Sequence, residues 1–297
     1  MVVAIVPIIL TVGLGFLVES VRKTEVRAIS TIAIYVLLPS LIFTSLLTTK
    51  VTLGEAVPLI GVVLILTALL WVLGKAIARA RHYSADDESL LMLTTLFMNA
   101  GNMGMPVAFY AFGDRGLDLA VIWVLVVNAL SSTVAVYYLS RHLGGSGRAL
   151  RAVFTLPSLY AAAAALVLRS LGISLPTFLF DPLQLLGRAV IPVSQLVLGI
   201  QLAKARSQVS LHMSQALLPN FIRLLLSPAI AFALVNLLGV HGLAAKVAIL
   251  LAAMPTAVNM AIFATEFDAQ PRRVATAVFT STLASFITLS ALLWLLG

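Results

Sequence analysis

Apolar residues run through this chain in long windows nearly free of charge, separated by short polar stretches that carry most of the Lys and Arg. The windows cover residues 2–20, 28–48, 56–78, 89–112, 118–140, 152–171, 182–203, 212–238, 243–266 and 273–296. Most have the length, roughly 17–25 residues, at which a helix crosses a ~30 Å hydrocarbon core. The pattern predicts an all-α integral membrane protein of ten transmembrane helices. Arg188 and Arg223 fall inside the seventh and eighth windows, which are the least regular. The fourth and ninth windows are interrupted at their middles. The fourth reads LFMNAGNMGMPVAFY from Leu96 to Tyr110, and the ninth reads LLAAMPTAVNMAIF from Leu250 to Phe263. Pro106 and Pro255 lack an N–H and clash with the preceding turn, so both helices are predicted to break there. Unwound backbone at bilayer depth is tolerated only when it is buried in protein or lines a wet cavity.

The two breaks are matched. VLLPSLIF with Pro39 in the second window corresponds to AVIPVSQLVLG with Pro192 in the seventh, 153 residues later. Pro106 and Pro255 lie 149 residues apart. Pro39 and Pro192 are therefore candidate hinges. Five spans is an odd number, so a duplicated half must sit inverted in the membrane. The expected organisation is one transmembrane domain, 1–297, in two inverted five-helix repeats, 1–141 and 151–297. A cytoplasmic linker, 142–150, containing HLGGSGR, joins them. A matched pair of Gly/Pro-interrupted segments in two inverted halves points to a transporter binding site.

Composition and charge agree with a membrane chain. Of the 297 residues, 61% are hydrophobic and only 10% charged, where a soluble domain has roughly 25% charged; the mean hydropathy is +1.09. The net charge of +8 is not read as a nucleic-acid footprint, because no basic cluster sits on a soluble face; it reads as loop Lys and Arg facing anionic lipid. The odd-numbered loops carry thirteen Lys and Arg and the even-numbered loops four, which puts the odd loops in the cytoplasm and both termini outside. Met1 to Val18 lacks a basic n-region and a small-residue cleavage site and is kept as a span, not a signal peptide. There is no cysteine, so disulfides and thiolate metal sites are excluded. No metal or cofactor is expected.

The chemistry concentrates at the breaks. Gly101 and Gly104 relax the backbone. Pro106 suits the first turn of the second half-helix, and Pro255 suits the same position in the ninth helix. Inversion makes the broken helices cross near the midplane, each pointing the positive N-terminal end of its second half at the crossing, which favours an anion. Asn99, Asn102, Thr256 and Asn259 supply neutral hydrogen bonds there, with Asn128 of the fifth helix as a further candidate. Ordinary kinks satisfied by neighbouring polar side chains are the alternative reading.

Intramembrane ionisable residues are functional suspects. Arg223 has two readings: it offsets substrate charge, or it hydrogen-bonds backbone carbonyls or snorkels. Arg188 reads as a snorkelling residue near the outer end of its helix. Glu266 and Asp268 are expected to be solvated or paired with Arg272 and Arg273. No carboxylate lies at a predicted midplane, which argues against strong ion coupling, although carbonyls and Asn side chains can hold Na⁺. Trp71, Trp123 and Trp294 are expected to face lipid or the interface. An intramembrane enzyme would need paired aspartates, a Ser–His pair or HExxH at membrane depth, and none is present. A channel would show a polar stripe along whole helices, whereas here polarity gathers at two points.

NAGNMGMP, RLLLSP at Arg223 to Pro228, VLLPSLIF and AMPTAVNMAIFATEFDAQP together resemble the auxin efflux carrier family over essentially the whole chain. That family includes plant PIN proteins and prokaryotic permeases linked to malate or malonate. The resemblance implies a fold similar to the bile acid/sodium symporters, with a scaffold of helices 1, 2, 6 and 7 and a transport domain of helices 3–5 and 8–10. It also implies carboxylate binding at the crossover of helices 4 and 9, an elevator-like movement, and homodimers through the scaffold. Asn99 to Pro106 would form one arm of the site and Pro255 to Asn259 the other. Two features depart from the plant pattern: the central loop is short, and Thr265 stands where plant members often have Lys. The partners so implied are a small organic anion, the lipid bilayer and a second copy of the chain.

Overall fold

A computed structural model describes residues 2–131, 134, 138, 156–207, 209, 213–266 and 270–297. The predicted linker, 142–150, lies outside the described residues, as do His142, His212 and Asp268. Among the described residues the chain is helical, with one isolated antiparallel bridge between Met98 and Thr256. The helices are α1 (Val2–Arg22), α2 (Val26–Thr48), α3 (Leu53–Ala80), α4 (Ala85–Leu96), α5 (Met105–Leu130), α6 (Pro157–Ser170), α7 (Thr177–Arg206), α8 (Ser214–Leu237), α9 (Gly242–Ala252), α10 (Asn259–Glu266) and α11 (Pro271–Leu296). Six are long and apolar enough to cross a membrane: α1, α2, α3, α7, α8 and α11. The predicted fourth and fifth windows are divided differently from a simple pair of spans. α4 ends at Leu96, and α5 runs through both windows with a corner at Gly113, whose φ of 68° suits glycine. The ninth window is α9 and α10, separated by 253–258.

Local chemistry sets the helix starts. Thr52 and Glu55 form a reciprocal capping box at α3: the Glu55 N–H donates to Thr52 Oγ1 at 3.3 Å and the Thr52 N–H to Glu55 Oε2 at 3.1 Å. Ser84 caps α4, accepting from the Asp87 N–H at 3.1 Å, with Asp86, Asp87 and Glu88 in the first turn.

Proline shapes three helices in one way. A five-residue π-turn precedes Leu38-Pro39, Met105-Pro106 and Ser227-Pro228. In each case the residue before proline donates its N–H five positions back, to Ala33, Ala100 and Ile222 respectively. Widening the turn makes room for a ring that would otherwise strike the carbonyl four residues back. Pro192, the other candidate hinge, lies inside α7 without such a turn.

Packing falls into two groups. α1, α2, α6 and α7 pack most closely on one another, and α3, α4, α5, α8, α9, α10 and α11 form the other group. Small residues bring the first group together. A Cβ on Gly199 of α7 would lie 2.0 Å from the Val12 carbonyl oxygen, and one on Gly15 of α1 2.2 Å from that of Leu196. Apolar side chains such as Leu10, Leu17, Phe178, Ile287 and Trp294 are exposed, as suits helices solvated by lipid tails rather than water. Trp123 corrects the expectation of a lipid-facing ring: it is fully buried and donates Nε1–H to Met98 Sδ at 3.1 Å, directly beneath the first break. Trp71, partly exposed, donates to the Tyr138 hydroxyl at 2.7 Å.

At one end of the second group, Arg273 of α11 donates to Asp87 of α4 at 2.5 Å, and this bond holds the Asp87 carboxyl below the ordinary carboxylate range. Its contribution to stability is present above the unfolded-state pKa and is lost as pH falls through the lower folded value. Asp87→Asn should therefore lower the melting temperature at pH 6 and converge with the parent near pH 3, read by thermal unfolding in detergent. Gly199→Ala should destabilise by about 1–3 kcal/mol through overpacking, whereas Gly13→Ala, with open space at its Cβ position, should be neutral in the same assay.

Candidate functional site

The two interrupted helices meet at their breaks. The Asn99 N–H donates to the Pro255 carbonyl at 2.8 Å, and the Ala257 N–H donates to the Phe97 carbonyl at 2.9 Å. These two bonds flank the Met98–Thr256 bridge. Thr256 adds a third tie, donating its hydroxyl to the Thr94 carbonyl at 2.8 Å while its N–H reaches Ser281 Oγ at 3.3 Å. Each break thus supplies the hydrogen bonds that the other's unwound backbone lacks, which removes the cost of leaving those groups unpaired at depth.

Arg223 closes the remaining account. It is fully buried on the π-turn of α8. Its guanidinium donates to Thr95 O at 2.7 Å, Ala252 O at 2.5 Å and Met254 O at 3.1 Å, and to Ser227 Oγ at 2.5 Å. Ser227 in turn donates to Ala252 O at 2.9 Å. One planar, five-donor cation therefore serves the C-terminal carbonyls of both α4 and α9, where the helix dipoles are negative.

The opposite, N-terminal ends of the second half-helices border a cavity of about 210 Å³. Asn99, Gly101 and Asn102 line it from the first break, and Ala257, Asn259 and Met260 from the second. Asn128 and Ser131 follow from α5 and its end, Ser30, Ile34 and Leu38 from α2, Ser194, Val197 and Gln201 from α7, and Phe263 from α10. Among the described residues, none that lines the cavity carries a charge. Asn99 Nδ2, Ser30 Oγ and Gln201 Oε1 are buried without a hydrogen-bond partner, and such groups need a ligand or water. The electrostatics are polarised: two helix N-termini face the cavity, and the cation sits on the far side, at the C-terminal ends.

Comparison with known proteins fixes the family. A family model described as membrane transport protein matches residues 1–146 and 146–294. The chain belongs to this family, the auxin efflux carriers. It is similar to an uncharacterized transporter of Methanocaldococcus jannaschii, 26% identical over 99% of this chain and 98% of that one. It is also similar to an uncharacterized transporter of Methanothermobacter thermautotrophicus, 29% identical over 96% of this chain and 95% of that one. Family membership and the apolar helices make it a multi-pass membrane protein in a lipid environment.

Within this family member, the cavity gathers Asn99, Gly101, Asn102, Asn128 and Asn259 out of the residues expected from sequence. Gly104, Pro106, Pro255 and Thr256 build the crossover without lining it. A Cβ on Gly104 would meet Leu251 at 2.6 Å, so this glycine permits close approach of α9. Pro106 occupies the first turn of α5, as expected. Pro255 does not occupy the first turn of α10: it lies four residues earlier, where its carbonyl accepts from Asn99. An extended stretch is needed there for pairing, and a helix starting at Pro255 would hide that carbonyl. Arg223 is not among the lining residues. Pro39 adjoins the lining residue Leu38. Ser30, Ser194 and Gln201 were missed, because single polar residues in apolar helices have no sequence signal for direction beyond the helical spacing of 194, 197 and 201.

Arg223→Met should leave the buried Thr95 and Met254 carbonyls unserved, each costing about 1–3 kcal/mol, and leave Ala252 with the Ser227 hydroxyl alone, and so greatly lower thermal stability. Arg223→Lys should fall between, since an ammonium cannot span the same fork. Equal melting temperatures for Arg223→Met and the parent in detergent would disprove this role.

Proposed function

We propose that this carrier moves small organic anions, carboxylates of the malate, malonate or auxin-like kind, across the cytoplasmic membrane by an elevator-type secondary transport mechanism. The observation that carries the reading is the uncharged cavity at the crossover. It presents two helix N-termini and the unpartnered Asn99 donor to a ligand, a setting that favours a carboxylate. Ten spans in two inverted five-helix repeats account for the crossing of the matched breaks. The α1/α2/α6/α7 group serves as scaffold, a candidate homodimer surface, and the other group carries the crossover past it. The charge bias puts the linker side in the cytoplasm and both termini outside.

Arg223 acts indirectly in this scheme: by neutralising the C-terminal ends of α4 and α9 it keeps the crossover rigid. With no cation among the described residues that line the cavity, transfer of an anion is electrogenic, and an inside-negative potential drives it outward by about 2.3 kcal/mol per charge per 100 mV. Uniport or potential-driven movement is the simplest scheme; symport with Na⁺ or H⁺ is the rival.

Solid-supported-membrane recordings on proteoliposomes, with malate, malonate, lactate and indole-3-acetate applied without ion gradients, test the reading. A current for one of them is expected. Silence for all, with current only on a Na⁺ or H⁺ gradient, would favour the rival. Asn99→Ala and Asn259→Ala should weaken apparent affinity for the active anion about 10–100-fold, as expected for a hydrogen bond to a charged group. Asn236→Ala, on an exposed face of α8, should leave it unchanged. Unaltered affinity in both crossover variants would remove the site from the crossover.

A further inference from the structure

A second and larger cavity, about 510 Å³, lies farther along the same face of α2, towards its C-terminus. Leu38 lines the crossover cavity, while Leu41, Thr44 and Ser45, one and two turns on, line this one. Among the described residues the two cavities share no lining residue. Its other walls come from Lys50, from Asp114, Arg115, Leu117 and Asp118 near the Gly113 corner, and from Gln184 and Arg188 of α7. Under the charge bias it faces outside.

Asp118 is the feature of this vestibule that the transport scheme leaves unused. It is half-buried on α5, in the group that carries the crossover. Its carboxylate accepts a hydrogen bond from the Ser45 hydroxyl of α2. The donor belongs to the other group of helices. Asp118 therefore ties together the two bodies that must slide if the crossover is to change sides. The charged groups around it are Asp114 and Arg115 of its own helix, Lys50 after α2, Arg188 of α7 and Arg169 of α6. Arg169 is engaged by the Leu46 carbonyl at 3.1 Å. Arg115 is engaged by Glu55 of α3 at 2.7 Å. Arg188 stands 4.0 Å from Asp114. Among the described residues none of these cations forms an ion pair with Asp118. Among the described residues its carboxylate is held by the Ser45 hydroxyl, with Arg169 as the nearest favourable charge.

A carboxylate held in this way is sensitive to a proton. Hydrogen bonds to an ionised acceptor are roughly twice as strong as neutral ones. Proton uptake converts the acceptor to a neutral carboxyl and weakens the tie to Ser45 without breaking any covalent bond. We propose that Asp118 is a proton-binding site: ionised, it latches α5 to α2 and keeps the vestibule floor closed, and protonated from the vestibule, it releases the latch. The proposal rests on the two-body transport reading for its consequence, but proton binding and opening can be followed without any substrate.

The natural absence of cysteine provides the test. Leu41→Cys places one thiol at the buried vestibule floor, and Leu53→Cys places one on an exposed site as a reference. Purified full-length protein in detergent is labelled with a hydrophilic maleimide between pH 5 and 8, and the Leu41→Cys rate is divided by the reference rate at each pH. The ratio should rise about fivefold or more as pH falls, through a single titration. Added Asp118→Asn should give the high ratio at every pH, and Asp118→Glu should keep a titration. Ser45→Ala should raise the ratio and remove most of the pH response, since the Ser45 hydroxyl makes the tie. Thermal melting of each variant checks that it is folded. A pH-independent ratio in the Leu41→Cys protein, or the same pH response in Asp118→Asn, would overturn the proposal. Because no substrate is present, either failure leaves the crossover reading standing, and a failure to transport anions leaves this result standing.

Discussion

Backbone polar groups buried at membrane depth must find partners within the protein, and the rest of this structure depends on how that requirement is met. A helix meets it alone. Where α4 and α9 stop, several carbonyls and N–H groups lose their intrahelical partners. The chain meets the requirement by crossing one break with the other, so that Asn99 and Pro255, and Phe97 and Ala257, complete each other. It finishes the task with Arg223, which serves Thr95, Ala252 and Met254 together. A transporter site made from broken helices is stable only with such a completion, and here a single guanidinium supplies much of it.

The same arrangement sorts charge, and among the described residues none that lines the cavity is charged. Helix C-termini are gathered against a buried cation and helix N-termini against the cavity. The cation is locked in carbonyl bonds and is not part of the cavity lining. The lining offers neutral donors and acceptors, among them Asn99 and Gln201 with unpartnered atoms. Under the proposed function, such a site would attract an anion by oriented dipoles and release it without breaking a fixed ion pair.

Proline and glycine divide the mechanical roles. Where proline follows a π-turn, the helix remains continuous in α2 and α8, yet its register shifts. At Met105-Pro106 the same π-turn begins the second half of a broken helix. Glycine acts differently, at Gly15 and Gly199, where it lets the backbones of α1 and α7 touch and makes their group a firm unit. The contact between the two groups at Asp118 and Ser45 is polar, as a surface that parts under the proposed function would require.

The sequence alone determined that the chain lives in lipid, since its apolar windows and near absence of charge leave no soluble core to build. It also determined where two helices break, because Pro106 and Pro255 with their Gly and Asn neighbours cannot continue a helix. It singled out Asn99, Asn102, Asn128 and Asn259, every asparagine among the described residues that line the cavity. It left Arg223 with two readings, because a guanidinium in an apolar window serves a ligand or a carbonyl equally well until its neighbours are known. It placed Pro255 at a helix start, because pairing with a strand-like segment more than 150 residues away leaves no local signal. It did not connect Asp118 with Ser45, or Ser194 and Gln201 with Asn99. Those juxtapositions arise from helix packing, in which direction and depth are set by contacts distant in sequence. Only the tertiary structure decided which polar residues face a cavity, which face each other, and which are spent on the backbone.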